Sequence, residues 1–157
     1  MHKQIQRWVF LFLFISASFF VQAQIETATG SGKLTAFQKH QSLTKASPFK
    51  TLSWRNTGPD NISGRVTEIA GISGRRNIMY AAFATGGFWK TTDAGENWVP
   101  LFDEQATQSI GSFALAPSNK EIIYLGTGEG NIFRASLPGL GMYKSLTGGK
   151  TWEHIGL

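Results

Sequence analysis

The chain has no cysteine among its 157 residues. Disulfides, thiolate metal sites and cysteine nucleophiles are therefore excluded, and export would not depend on disulfide formation. Charge is sparse at 16%, while 18 glycines and 13% aromatics point to turn-rich all-β structure rather than helical or disordered chain. No amphipathic helix stands out beyond the first residues. Histidine is scarce too: past the N-terminal run only His40 and His154 remain, neither beside a recognisable nucleophile or metal partner, so no metal and no cofactor is expected. A clustered basic stripe is also lacking. Lys33, Lys39, Lys45, Lys50, Arg55 and Arg65 are spread along the chain, which argues against nucleic acid as a partner.

One long apolar run is present, from Trp8 to Val21, preceded by Lys3 and Arg7 and closed by Val21-Gln22-Ala23. A membrane span wants roughly 20 apolar residues. This run is shorter and is interrupted by Ser16 and Ser18, so it reads as a secretory signal peptide over residues 1–23, cleaved after Ala23. Its removal takes two positive charges and no acid, lowering the formal net charge from +5 to +3. The mature chain is expected to be secreted, periplasmic or at the cell surface, with no membrane attachment. Residues 24–51 form a polar leader or linker without sustained periodicity.

The strongest signal is an internal repeat. Tyr80 to Trp98 ends in Trp-Lys-Thr-Thr-Asp-Ala-Gly-Glu-Asn-Trp, and Tyr124 to Trp152 ends in Tyr-Lys-Ser-Leu-Thr-Gly-Gly-Lys-Thr-Trp. The two tyrosines stand 44 residues apart and the two terminal tryptophans 54, which places an insertion between Tyr124 and Tyr143. A period near 44 is that of four-stranded propeller blades, and insertions map to loops. Strands are expected over 65–72, 78–84, 88–91 and 98–102 in a first blade (residues 52–108), and over 112–116, 122–126, 141–145 and 152–155 in a second (residues 109–157). The fold class is thus all-β, the first two four-stranded blades of a β-propeller. Closed propellers need about four to eight blades. The chain is accordingly expected to be the N-terminal part of a longer protein or a truncated, non-functional product.

Thr91-Thr92-Asp93-Ala94-Gly95-Glu96-Asn97-Trp98 resembles the Asp-box of sialidase-like propellers, Ser/Thr-x-Asp-x-Gly-x-Thr-Trp. Its chemistry is architectural: Asp93 accepts turn hydrogen bonds, Gly95 supplies positive φ, and Trp98 is a large apolar plug. The second copy has Ser145, Thr147, Gly149 and Trp152, with Thr147 where Asp93 stands. A hydroxyl makes the same kind of turn bond more weakly.

Further phrases, Trp54-Arg55-Asn56-Thr57-Gly58-Pro59, Gly126-Thr127-Gly128-Glu129 and Gly141-Met142-Tyr143-Lys144-Ser145, resemble the opening of secreted bacterial repeat proteins of sortilin type or like family 74 glycoside hydrolases. That resemblance implies a many-bladed extracellular propeller. It also implies a catalytic Asp in a Tyr-Ala-Arg-Thr-Asp-Ile-Gly-Gly pattern. Here the matching stretch is Tyr80-Ala81-Ala82-Phe83-Ala84-Thr85-Gly86-Gly87, with Ala84 in the Asp position. Alanine neither gives nor takes a proton.

Propeller ligands sit on the face where the segment leading into the first strand meets the loop between second and third strands. Asp60, Asn61 and Arg65 are expected there with Glu129, Asn131, Phe133 and Arg134 from the loop of residues 127–140. Carboxylate, amide, guanidinium and aromatic groups together suit sugar hydroxyls or a peptide backbone. Each has a structural alternative: Asp60 and Asn61 cap their own turn, and Arg65 and Arg134 pair with a neighbouring blade. Glu129, between two glycines, has the least evident structural task. The leading functional reading is a binding or scaffold module for carbohydrate or peptide. The alternative is a glycoside hydrolase, which needs two facing carboxyl groups, with Glu129 and Asp60 as candidates here and others outside this chain.

Overall fold

The computed structural model describes residues 30–53, 64–130 and 136–157. Its first element is a helix, α1 (Gly30–Ala46), with no buried residue. The polar leader or linker thus contains a helix that its sequence did not announce. Leu, Ala, Lys and Gln have good helical propensity. Thr35 and Thr44 return their hydroxyls to the carbonyls of Ser31 and His40, and Lys45 lies in the last turn, where a cation suits the helix dipole.

Two four-stranded antiparallel sheets follow. The first contains β1 (Val66–Ile72), β2 (Arg75–Phe83), β3 (Gly87–Thr91) and β4 (Val99–Pro100), in that spatial order. The second contains β5 (Ile110–Leu115), β6 (Ile123–Thr127), β7 (Met142–Ser145) and β8 (Glu153–Gly156), again in chain order. All eight expected strands form. β2 begins at Arg75 rather than Ile78, because Ser73-Gly74 makes a tighter turn with Gly74 at φ 78°. β4 is shorter than expected: only Val99 and Pro100 are in the ladder, while the Leu101 N–H still reaches Phe88 O at 2.8 Å.

The sequence repeat is a repeat in register. Tyr80 stands opposite Ala70 and Lys90, and Tyr124 opposite Ala114 and Lys144. Lys90 Nζ lies 5.2 Å from the Tyr80 ring centre and Lys144 Nζ 5.3 Å from that of Tyr124. Register is held because a slip by one residue would turn every apolar side chain to the wrong face.

The core lies between the sheets. The first contributes Tyr80, Ala82, Phe88 and Phe102, the second Ile110, Phe113, Ile123, Leu125 and Tyr143. Phe88 meets Phe113 edge-on at 4.8 Å, and Phe102 meets Tyr143 at 5.0 Å. Each large apolar side chain buried this way stabilises by about 1.5–3 kcal/mol. Trp152, in the turn before β8, closes the edge of this core: its ring packs against Phe88 and Phe102, and its N–H donates to Leu101 O at 2.7 Å. At the opposite edge the Glu68 carboxylate accepts from the Ser112 hydroxyl and the Phe113 N–H at 2.7 and 2.8 Å. One side chain thus ties β1 to β5 by two charge-assisted bonds.

Candidate functional site

The loop leaving β6 is pinned at both ends by Thr127. Its hydroxyl donates to Gly141 O at 2.6 Å and accepts the Leu140 N–H at 2.7 Å. The two arms come so close that a Cβ on Gly128 would lie 2.8 Å from the Gly139 backbone, and Gly128 has φ 95°. Only glycine permits that conformation and that approach together. On the inner side, Gly128 N–H donates to Ser109 O at 2.9 Å.

This pinned loop walls an open cavity of about 630 Å³, lined by Ser112, Thr127, Glu129, Ser136, Leu137 and Pro138 among others. The Glu129 side chain is only 1% exposed, yet one carboxylate oxygen, Oε1, forms an ion pair with the half-exposed Arg65. The other, Oε2, has no hydrogen-bond partner among the described residues. Burial of a carboxylate is costly unless its lone pairs are met. Arg65 is in turn fixed by its backbone, since its carbonyl accepts the Ala84 N–H at 2.9 Å. Glu129 thus lines the cavity beside an apolar wall of Leu137 and Pro138, with both of its carboxylate oxygens shielded from water and neither meeting a hydrogen-bond donor among the described residues.

Of the expected loop-face residues, Arg65 and Glu129 are brought together across the two sheets. Asp60, Asn61, Asn131, Phe133 and Arg134 lie outside the described residues. Ala84 is buried. His154 donates its Nε2–H to Leu140 O at 2.6 Å and packs edge-on to Tyr143. It serves to hold the loop's end. Among the described residues no group of acidic or histidine side chains is arranged to hold a metal ion. No described helix is long and apolar enough to cross a membrane.

The two hairpin motifs lie away from this cavity. In the Thr91–Trp98 hairpin, Asp93 Oδ1 accepts the Asn97 N–H at 2.9 Å and the Thr91 hydroxyl at 2.7 Å, while Oδ2 accepts the Asn97 side-chain amide at 2.8 Å. These bonds, the Asn97 N–H foremost, hold its carboxyl down at about 2, against an ordinary 3.8. In the second hairpin, Thr147 Oγ1 accepts the Thr151 N–H at 2.9 Å, and Ser145 Oγ accepts those of Thr147 and Gly149. Asp93 is thus committed to its own turn.

Sequence reasoning passed over a second hollow, of about 320 Å³, bounded by Asp103, Glu104, Lys150 and Trp152. Burial first, and the charge of Glu104 second, push the Asp103 carboxyl above its ordinary value. Gly149, Lys150 and Trp152 of the second hairpin motif form one wall, while its acidic side is marked in the sequence only by the Asp-Glu pair.

No family model matches the chain. A xyloglucanase from a Paenibacillus species is 24% identical over 111 residues, covering 68% of this chain and 10% of that protein. The crystal structure of an ancestral GH74 enzyme superposes with a TM-score of 0.51 at 20% identity, over 67% of this chain and 12% of the other. The chain thus spans about a tenth of the length of these relatives. With the two sheets and their order, the structural likeness establishes the fold: two adjacent blades of a β-propeller.

Proposed function

We propose that these blades belong to a secreted β-propeller that binds carbohydrate in the cavity where Glu129 meets Arg65. The observation that carries this reading is the Glu129 carboxylate, enclosed, oriented by a cation and with one oxygen unpartnered among the described residues. Sugar hydroxyls would supply the missing donors, and Leu137 and Pro138 would take the apolar face of a pyranose ring. The xyloglucanase likeness supports a plant β-glucan as ligand class over a peptide. The arrangement of Lys3, Arg7 and the following apolar run supports export.

Binding without turnover is favoured because Ala84 stands where the resemblance to family 74 hydrolases places a catalytic Asp, and it is buried. Hydrolysis is the second reading, favoured by the name of the same relative. It would require a second carboxyl group facing Glu129 across the bond to be cleaved. Titration calorimetry with xyloglucan and cello-oligosaccharides, run beside a reducing-sugar assay, tests both. Binding with no release of reducing ends, weakened about tenfold or more by Glu129→Gln, is the expected result. Undiminished binding by that variant would refute the site, and turnover abolished by it would make the protein a hydrolase.

A further inference from the structure

The hollow of about 320 Å³ lies between two turns, one from each blade, that are held rigidly against each other. On the first-blade side the turn after β4 is closed by the Gln105 N–H, which donates to Phe102 O at 3.1 Å, and the Gln108 side-chain amide donates to the same carbonyl at 2.9 Å. On the second-blade side the Gly149 N–H donates to Ser145 Oγ at 2.9 Å. Gly149 has φ 92°, and a Cβ there would lie 2.6 Å from the Leu101 side chain, so only glycine lets the walls approach this closely. Trp152 borders the hollow with its orientation fixed: its indole N–H is spent on Leu101 O at 2.7 Å, and its ring meets Phe88 and Phe102 edge-on. Walls that are already in place need no ordering when a ligand arrives.

The polar groups around this hollow are unspent. Among the described residues the side chains of Asp103, Glu104, Gln105 and Lys150 make no hydrogen bond, and neither carboxylate reaches Lys150 as an ion pair although all border one space. Carboxylates accept, an ammonium donates and an amide does both. Opposite charges on the two walls favour neither an anion nor a cation. A neutral molecule whose hydroxyls both donate and accept meets all of them, and the indole takes its C–H face. The volume sits at the small end of ligand pockets, which run from about 300 Å³.

We infer that this hollow is a second binding site, for a short neutral saccharide. It is separate from the cavity at Glu129 and does not rest on the reading of that cavity. Chemical-shift titration of the full chain with cellobiose tests it, because the Trp152 indole N–H and the Gln105, Gly149 and Lys150 amides report on this place alone. The expected result is saturable movement of those signals with a dissociation constant on the order of millimolar. Gln105→Ala and Lys150→Ala should each weaken it about threefold to tenfold, the loss of one hydrogen bond, and Glu129→Gln should leave it unchanged. Neither of the first two substitutions removes a hydrogen bond or ring contact of Trp152, so an unmoved indole signal before sugar is added shows that the fold is kept. Signals that stay still at tens of millimolar cellobiose overturn the proposal. So do an equal response to glycerol, an affinity untouched by both substitutions, or movement that Glu129→Gln abolishes.

Discussion

Trp98 and Trp152 close two hairpins of one design, yet one indole is 37% exposed and donates to Gly95 O within its own turn, while the other reaches across to Leu101 O and packs between Phe88 and Phe102. The local sequence is nearly the same. What differs is whether another blade lies against the ring, so the stabilisation that a repeat motif supplies belongs to the interface and not to the motif. Repeat proteins behave in this way because each unit contacts mainly its neighbours.

Removing the rings should expose that difference most strongly. Trp152→Ala deletes two edge-on aromatic contacts and a part-buried N–H bond, and leaves a cavity beside Phe102. It should cost about 3–5 kcal/mol. Trp98→Ala in dilute protein should cost about 1 kcal/mol. Urea unfolding midpoints of the two variants measure the gap, and equal losses would mean that Trp98 is covered in the isolated chain.

A smaller contrast is carried by the turn glycines. Gly95 and Gly149 both have positive φ, 99° and 92°, so alanine strains either turn. Only at Gly149 does a Cβ also collide, 2.6 Å from the Leu101 side chain; at Gly95 the nearest side-chain atom is the flexible Met79 terminus at 3.6 Å. Gly149→Ala should therefore be less stable than Gly95→Ala by about 1–3 kcal/mol, the range for overpacking a filled interior. Thermal unfolding of the pair checks this, and Leu101→Ala should erase most of the difference.

The residues that made the blades readable in advance were those that alternate or punctuate. Phe113 and Leu115, the Ile78–Ala84 run and the Gly-rich turns mark strands by the same rule that builds them. Helix α1 escaped because it buries nothing: with no apolar stripe there is no period to detect, only propensity. At the candidate site, Arg65 and Glu129 were each legible as loop-face groups, but their ion pair spans two blades and is a property of tertiary packing. The same holds for Glu68, whose carboxylate caps β5 from the neighbouring sheet and which nothing in its local sequence distinguishes.

The finest contrast is between the two hairpins' polar anchors. The Asp93 carboxyl is held at about 2 by the Asn97 N–H first, then the Asn97 side chain and the Thr91 hydroxyl. A carboxyl depressed in the folded state adds stability that is complete above its ordinary value near 3.8 and is lost as pH falls through about 2. Thr147 does not titrate, so the second hairpin has no such dependence. Amide chemical shifts followed from pH 5 downward should show the Asn97 N–H moving with a midpoint near 2 while the Thr151 N–H stays still. Asp93→Asn should abolish that movement, and Thr147→Asp should confer a similar one on Thr151, because the Thr147 oxygen already accepts its N–H at 2.9 Å. If Thr151 remained indifferent to pH in that variant, the two hairpins would differ in backbone shape and not merely in the anchor they carry.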